Sequence, residues 1–176
     1  MRRCFFKLFI VTFLVVGCVE HTPTIKEERI IKLSKLLHTL SSNTTEKETL
    51  QLSRDIFTKT QQLTKAFEMS SPPQYHNFLV NIGMKEKGLC YHWSDALYLH
   101  FMKSNYPSFE FHLLGANIGK YWTEHNSLVI VGKGKPIQSG IIIDPWRNGG
   151  ELYFSKVKND HDYLWIHRAS RGCSRK

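Results

Sequence analysis

The chain has 176 residues and a formal net charge of +9, a length that suits one domain with a buried core. Its Lys and Arg residues form no stripe interleaved with aromatic side chains, and they are dense only at the C-terminus, which argues against a nucleic-acid-binding protein. The sequence shows no internal repeat, low-complexity tract or Gly-rich phosphate loop.

The N-terminus has the order of residues typical of an export signal. Arg2, Arg3 and Lys7 precede an apolar run over 8–16, and Gly17 and Cys18 follow it. The run is far shorter than the roughly 20 residues that span a bilayer. Residues 15–18 resemble the bacterial lipobox, which implies cleavage after Gly17 and lipidation of Cys18 by palmitate-type acyl chains. The alternative is an unmodified Cys18 in an ordinary signal peptide.

Lipidation of Cys18 would anchor the chain to a membrane. Val19, and not an acidic residue, follows Cys18. In a Gram-negative cell this resembles the pattern of lipoproteins sent to the outer membrane, where the chain would lie on the periplasmic face. Removal of the first 17 of 176 residues leaves 159 and lowers the net charge from +9 to +6, because three basic residues and no acid are lost. We expect a tether over 18–24. The basic tail over 169–176 is expected to be a solvated terminus, with contact to anionic lipid or polymer as the alternative.

Residues 25–70 predict a helical N-terminal part. Apolar residues recur at steps of three and four from Ile30 to Leu40, which indicates an amphipathic helix that ends near 41–43. Thr45 and Glu48 form a potential capping box for a second helix through Phe67. Residues 70–73, Ser-Ser-Pro-Pro, predict its stop. We expect these helices to pack and assign them no chemistry.

The second half predicts one more helix followed by strands. Apolar residues within 90–102 lie on one helical face. Short runs over 109–114, 127–131, 141–143 and 151–154 indicate strands, and the two central runs have the composition of strands buried on both faces. Residues 132–136 predict a reversal between them. Helices followed by strands predict an α+β domain.

The cysteine pattern points to a reactive thiol. Cys4 leaves with the signal and Cys18 carries lipid, so only Cys90 and Cys173 remain in a compartment that oxidises thiols. Cys173 lies in the Gly/Ser/Arg tail and Cys90 in a patterned helix, so the two look unlike structural disulfide partners. A thiol that stays reduced in such a compartment needs a reason, and catalysis is one.

Three residues predict a catalytic constellation. Cys90 lies where a helix begins, and a helix N-terminus and a nearby imidazolium both lower the pKa of a thiol. If the two central strands turn about residues 134–135, His125 stands directly opposite Asp144, within reach of a hydrogen bond. A longer loop at Pro136 would shift this register by one or two residues.

These contexts resemble a known superfamily. Residues 88–93 (GLCYHW), 124–129 (EHNSLV) and 140–146 (GIIIDPW) are similar to the Cys, His, Asp order of bacterial transglutaminase-like and papain-like cysteine proteinases. The resemblance covers roughly 72–165 and implies a catalytic core over 71–168, with a nucleophile helix packed on an antiparallel sheet. It implies Cys90 as nucleophile, His125 as general base and acid, and Asp144 as the residue that orients the imidazole.

One element of the papain-type pattern is missing. No Gln precedes Cys90 at the position of the oxyanion donor, since 84–87 is Met-Lys-Glu-Lys. We expect the Cys90 backbone N–H and either His76 or Asn77 to replace it. Trp93 and Trp122 are expected to be core or cleft walls, with Trp122 shielding the site from water.

The sequence also offers residues that could bind a metal ion. A zinc site from Cys90, His92 and His125 is disfavoured because Cys-x-His places its ligands on different helical faces, so we expect no metal and no cofactor. His161 and His167 are expected at the surface.

The leading hypothesis is a membrane-anchored thiol enzyme that hydrolyses peptide or isopeptide bonds, or transfers the acyl group, on envelope proteins or wall peptides. The alternative is a non-catalytic lipoprotein that serves as a binding or assembly module.

Overall fold

The computed structural model describes residues 25–168. It contains four helices, which are α1 (Glu27–His38), α2 (Glu46–Ala66), α3 (Pro73–Asn81) and α4 (Cys90–Phe101). Five strands follow, which are β1 (Phe109–Ala116), β2 (His125–Gly132), β3 (Ile141–Asn148), β4 (Glu151–Lys156) and β5 (Ile166–His167). The predicted signal peptide, the lipidated Cys18, the tether and the basic tail lie outside the described residues. Within 25–168, no helix is long and apolar enough to cross a membrane.

The first two helices confirm the sequence prediction. The Thr45 side chain accepts a hydrogen bond from the Glu48 N–H at 3.2 Å, as expected of the helix cap. The Glu48 carboxylate does not complete the capping box but accepts from the Ser108 N–H at 3.1 Å, which ties α2 to the start of β1. Helix α3 was not predicted. It begins at Pro73, where a proline is compatible with a first helical turn, although the sequence there was interpreted as a stop.

The strands form one antiparallel sheet in the order β4-β3-β2-β1-β5, and the α+β prediction is confirmed. The four predicted strands are present with longer bounds, and every residue of the central β2 is buried. The two-residue strand β5 was not predicted. It pairs with β1 at the opposite edge of the sheet from β4.

The sheet has a core on each face. On one face, residues of α1, α2 and α4 pack against even-numbered residues of β2, such as Leu128 and Ile130. On the other face, Val129, Val131 and Ile142 pack against Trp165 of the C-terminal segment 157–165. The helix that carries Cys90 therefore lies on one side of the sheet, and the C-terminal segment covers the other.

The hairpin register differs from the prediction by two residues. Leu128 pairs with Ile143, and continuation of this register places Ser127, not His125, opposite Asp144. The cause is the connection, which does not turn tightly about 134–135 but includes a 3-10 helix at Ile137–Ser139. His125 and Asp144 are consequently diagonal neighbours, a separation that long side chains still bridge.

Candidate active site

Cys90 is the first residue of α4, as the sequence predicted. Its thiol is buried, with 8% of the residue exposed. The first turn of α4 holds no acidic residue, so the positive end of the helix dipole is not neutralised there. His92 fixes the approach to the helix, because its Nδ1 accepts from the Gly88 and Leu89 N–H groups at 3.1 and 3.2 Å.

His125 and Asp144 form a buried hydrogen-bonded pair. The His125 Nε2 lies 2.6 Å from the Asp144 Oδ2, and the two residues are 2% and 1% exposed. The other ring nitrogen, Nδ1, is buried without a nitrogen or oxygen partner. The Cys90 thiol is the nearby group that interacts with the imidazole by hydrogen bonding and charge.

The environment of His125 favours the imidazolium. Burial alone lowers the pKa of His125, but the charge and hydrogen bond of Asp144, together with Cys90, outweigh it and raise the pKa from 6.5 to about 9. A cation held beside a thiol at a helix N-terminus is the environment that favours a thiolate. The three predicted residues therefore meet in the relation that a nucleophile, a base and an orienting group require.

Asp144 is held by Arg147, which the sequence did not predict as part of the site. The Arg147 Nε donates to the Asp144 Oδ2 at 3.2 Å, and the Arg147 backbone N–H donates to Oδ1 at the same distance. The remaining guanidinium nitrogens donate to both oxygens of Asp160 at 3.0 and 2.7 Å. Arg147 thus joins the candidate triad to the C-terminal segment. The sequence around Arg147 carries no pattern that predicts this contact, because its partner Asp160 lies thirteen residues away.

Aromatic rings surround the imidazole. The ring centroids of Trp146 and Tyr163 lie 4.8 and 4.6 Å from that of His125. Trp122 does not contribute, since 89% of it is exposed, and the expectation that it shields the site is wrong. Trp93 is buried, and its Nε1 donates to the Gly88 carbonyl at 3.1 Å, so it supports the turn before Cys90.

The two expected oxyanion donors have other partners. The His76 Nδ1 accepts from the Ser70 N–H at 3.1 Å and its Nε2 donates to the Lys87 carbonyl at 2.8 Å, so both ring nitrogens are committed to the backbone. Burial lowers the pKa of His76, which keeps the ring neutral. The Asn77 Oδ1 accepts from the Trp146 Nε1 at 3.0 Å. Both residues support the walls of the site.

Asn126, which was not among the predicted site residues, lies beside the sulfur. The Asn126 Nδ2 is 3.7 Å from the Cys90 Sγ, within the range of a hydrogen bond to sulfur. Asn126 directly follows His125 on β2. The only signal for it was its position next to the candidate base.

The described residues contain no group of three or more His, Cys, Asp or Glu side chains placed to hold a metal ion. His92 faces backbone amides through its Nδ1, so the Cys90, His92 and His125 side chains do not form a ligand set. His161 and His167 are exposed, as expected.

Comparisons with known proteins give no match: no family model, curated protein or solved structure is similar to this chain. The resemblance to transglutaminase-like cysteine proteinases therefore stays a prediction.

Proposed function

We propose that this protein is a cysteine-dependent enzyme of the transglutaminase-like class that acts on amide bonds through an acyl-enzyme on Cys90. The observation that carries the proposal is the buried hydrogen bond of 2.6 Å between His125 and Asp144 beside a thiol at the start of α4. Burying an imidazolium and a carboxylate is costly unless they are paired, and such pairs are common where a reaction uses them.

The reaction follows from the groups present. The Cys90 thiolate attacks the amide carbonyl carbon and forms the C–S bond of a tetrahedral intermediate. The His125 imidazolium then gives its proton to the leaving nitrogen as the C–N bond breaks, which leaves a thioester and a neutral imidazole. The imidazole next takes a proton from water or from an acceptor amine, and the thioester is hydrolysed or the acyl group is transferred. Asp144 orients the ring and stabilises its charged form.

The proposed anchor at Cys18 limits the substrates to those near a membrane. If Cys18 is lipidated, a tether over 18–24 of at most about 25 Å joins the domain to its anchor, at roughly 3.5 Å per extended residue. The enzyme would then work within about a domain's width of a membrane, on envelope proteins or wall peptides.

The proposal is tested by the reactivity of Cys90 as a function of pH. The full chain in detergent is treated with iodoacetamide from pH 5 to 10, and alkylation is read at the Cys90 peptide by mass spectrometry. Because the pKa of His125 is about 9, the imidazolium persists through neutral pH. We expect Cys90 to react with a midpoint at least about one pH unit below the 8.5 of an ordinary thiol.

The His125→Ala variant separates the triad from the helix alone. Loss of the imidazolium should move the Cys90 midpoint upward while circular dichroism stays unchanged. His38→Ala, a change of an exposed histidine on α1, is the matched control and should leave the midpoint where it was. A wild-type midpoint near 8.5, or one that His125→Ala does not move, would overturn the proposal.

A further inference from the structure

Asn126 is a second buried polar residue of β2 beside the sulfur. It is 3% exposed, lies on β2 opposite Gly115 of β1, and directs its Nδ2 to the Cys90 Sγ at 3.7 Å. Successive side chains of a strand point to opposite faces. His125 therefore lies on the face of Trp165, Asn126 lies on the face of α4, and both reach Cys90 where β2 begins.

The proposed reaction needs a donor at this place. Attack on a carbonyl develops negative charge on an oxygen whose carbon is bonded to Sγ, so the oxygen forms close to the sulfur. A donor that stabilises it must be fixed in advance and shielded from water. Of the side chains expected in this role, His76 has both ring nitrogens bound to backbone groups, and the Asn77 Oδ1 is bound to the Trp146 Nε1. Asn126 is the side-chain amide that lies beside the sulfur.

We infer that Asn126 is a catalytic residue whose side-chain amide, together with the Cys90 backbone N–H, binds the oxyanion of the tetrahedral intermediate. This inference rests on the proposed function. The Cys90 N–H belongs to the first turn of α4, where helix amides point away from the helix and the helix dipole favours a negative charge. An amide suits the second position because it donates without a charge, and it takes no proton from the thiol.

Two reactions of the same sulfur separate this role from thiol activation. Acylation by p-nitrophenyl acetate passes through an oxyanion and releases p-nitrophenol in a burst, whereas alkylation by iodoacetamide displaces iodide without one. Both rates depend on the thiolate fraction, so their ratio at one pH cancels it. Wild-type chain should give a burst of about one p-nitrophenol per chain that Cys90→Ala abolishes.

Asn126→Ala should lower the acylation-to-alkylation ratio by about 100-fold, the loss typical of removing one oxyanion donor. Asn126→Asp, which keeps the volume but has no donor when ionised, should lower the same ratio if the alanine variant does not fold. Asn81→Ala, at an exposed amide at the end of α3, is the matched control and should leave the ratio unchanged.

The outcomes are distinct. An unchanged ratio, or equal falls in both rates, would show that Asn126 serves packing or thiolate formation only, and the inference would be overturned while the triad stands. A wild-type chain whose Cys90 is alkylated at low pH but gives no burst would instead overturn the acyl-enzyme proposal, and the role of Asn126 with it.

Discussion

Asp144 is a carboxylate with almost no solvent exposure, and its charge is compensated by specific neighbours. Its Oδ2 accepts from both His125 and Arg147, and its Oδ1 accepts from the Arg147 backbone. A buried carboxylate is tolerated only when it is paired and hydrogen-bonded. Arg147 therefore fixes the direction in which Asp144 presents its oxygen to the imidazole.

Replacement of Arg147 should weaken the site and the fold together. Without the guanidinium, Asp144 should no longer hold the imidazole in place, and the pKa of the Cys90 thiol should rise. We expect Arg147→Met to lower Cys90 alkylation at pH 7 about 10-fold, since a rise of about one pKa unit lowers the thiolate fraction by that factor. The free energy of unfolding in urea should fall by about 3 kcal/mol, as when a buried ion pair loses one partner. Arg147→Lys should recover only part of both, because one ammonium cannot span Asp144 and Asp160.

Arg54→Met is the control for this substitution. Arg54 forms an exposed ion pair with Glu27, far along the chain from the triad, so its loss should cost less than about 1 kcal/mol and leave alkylation unchanged. Alkylation at the wild-type rate in Arg147→Met would show that Asp144 is held without the guanidinium.

The candidate triad could be predicted residue by residue because each member lies at the start of an element or directly after a recognisable apolar run. Cys90 heads a helix after a glycine, and Asp144 follows a run of three isoleucines. Arg147 and Asn126 could not be predicted, because their roles depend on contacts with Asp144 and Cys90 that form only in the folded structure. His76 shows the same limit, since its two hydrogen bonds are made to backbone groups six and eleven residues away.

At the scale of elements, the turn before α4 determines where the sulfur lies. Gly88 has a φ of +122°, and a Cβ there would lie 2.0 Å from the His76 Nε2. The Gly88 carbonyl accepts from Trp93 and its N–H donates to His92, so this residue is held from three sides. The start of α4, and with it the position of Cys90, depends on the close approach of the His76 ring.

Gly88→Ala should therefore destabilise the protein by more than the backbone strain of a positive φ, because the added Cβ also clashes with the His76 ring. We expect a loss of about 3 kcal/mol or more in the free energy of unfolding, from backbone strain of about 1 to 3 kcal/mol plus the clash. Gly83→Ala is the matched control: its φ is +78°, but nothing lies within 4 Å of the added Cβ. It should show the strain alone, about 1 kcal/mol. Equal losses in urea denaturation would contradict the proposed contact.

The elements that the sequence failed to predict share a physical cause. Strand β5 has only two residues, too few for a hydrophobic pattern, and it forms because β1 offers an edge. The register of β2 and β3 depended on the connection, where a 3-10 helix at Ile137–Ser139 follows the turn at Gly132–Lys135. Long periodic elements such as α2 were predicted because their pattern is contained within their own sequence.

At the scale of the whole molecule, the helical N-terminal part and the predicted catalytic core share one hydrophobic core. Fully buried residues of α1 and α2, such as Leu33 and Leu52, belong to the same cluster as Leu128 and Ile141 of the sheet. Arg29 adds a polar link, since it pairs with Glu151 and donates to the Leu152 carbonyl. The boundary drawn near residue 70 from sequence therefore crosses a continuous core.

This continuity predicts that residues 71–168 do not fold alone. Without α1 and α2, the face of the sheet that holds Leu128, Ile130 and Ile143 loses part of its cover. Each buried leucine or isoleucine truncated to alanine costs about 2 to 5 kcal/mol, and a domain has only about 5 to 15 kcal/mol in total, so the loss exceeds the stability available. A 25–168 fragment should unfold cooperatively in urea, whereas a 71–168 fragment should show no transition and no activated Cys90. A cooperative transition in the shorter fragment would mean that α1 and α2 cover the sheet without being needed to form it.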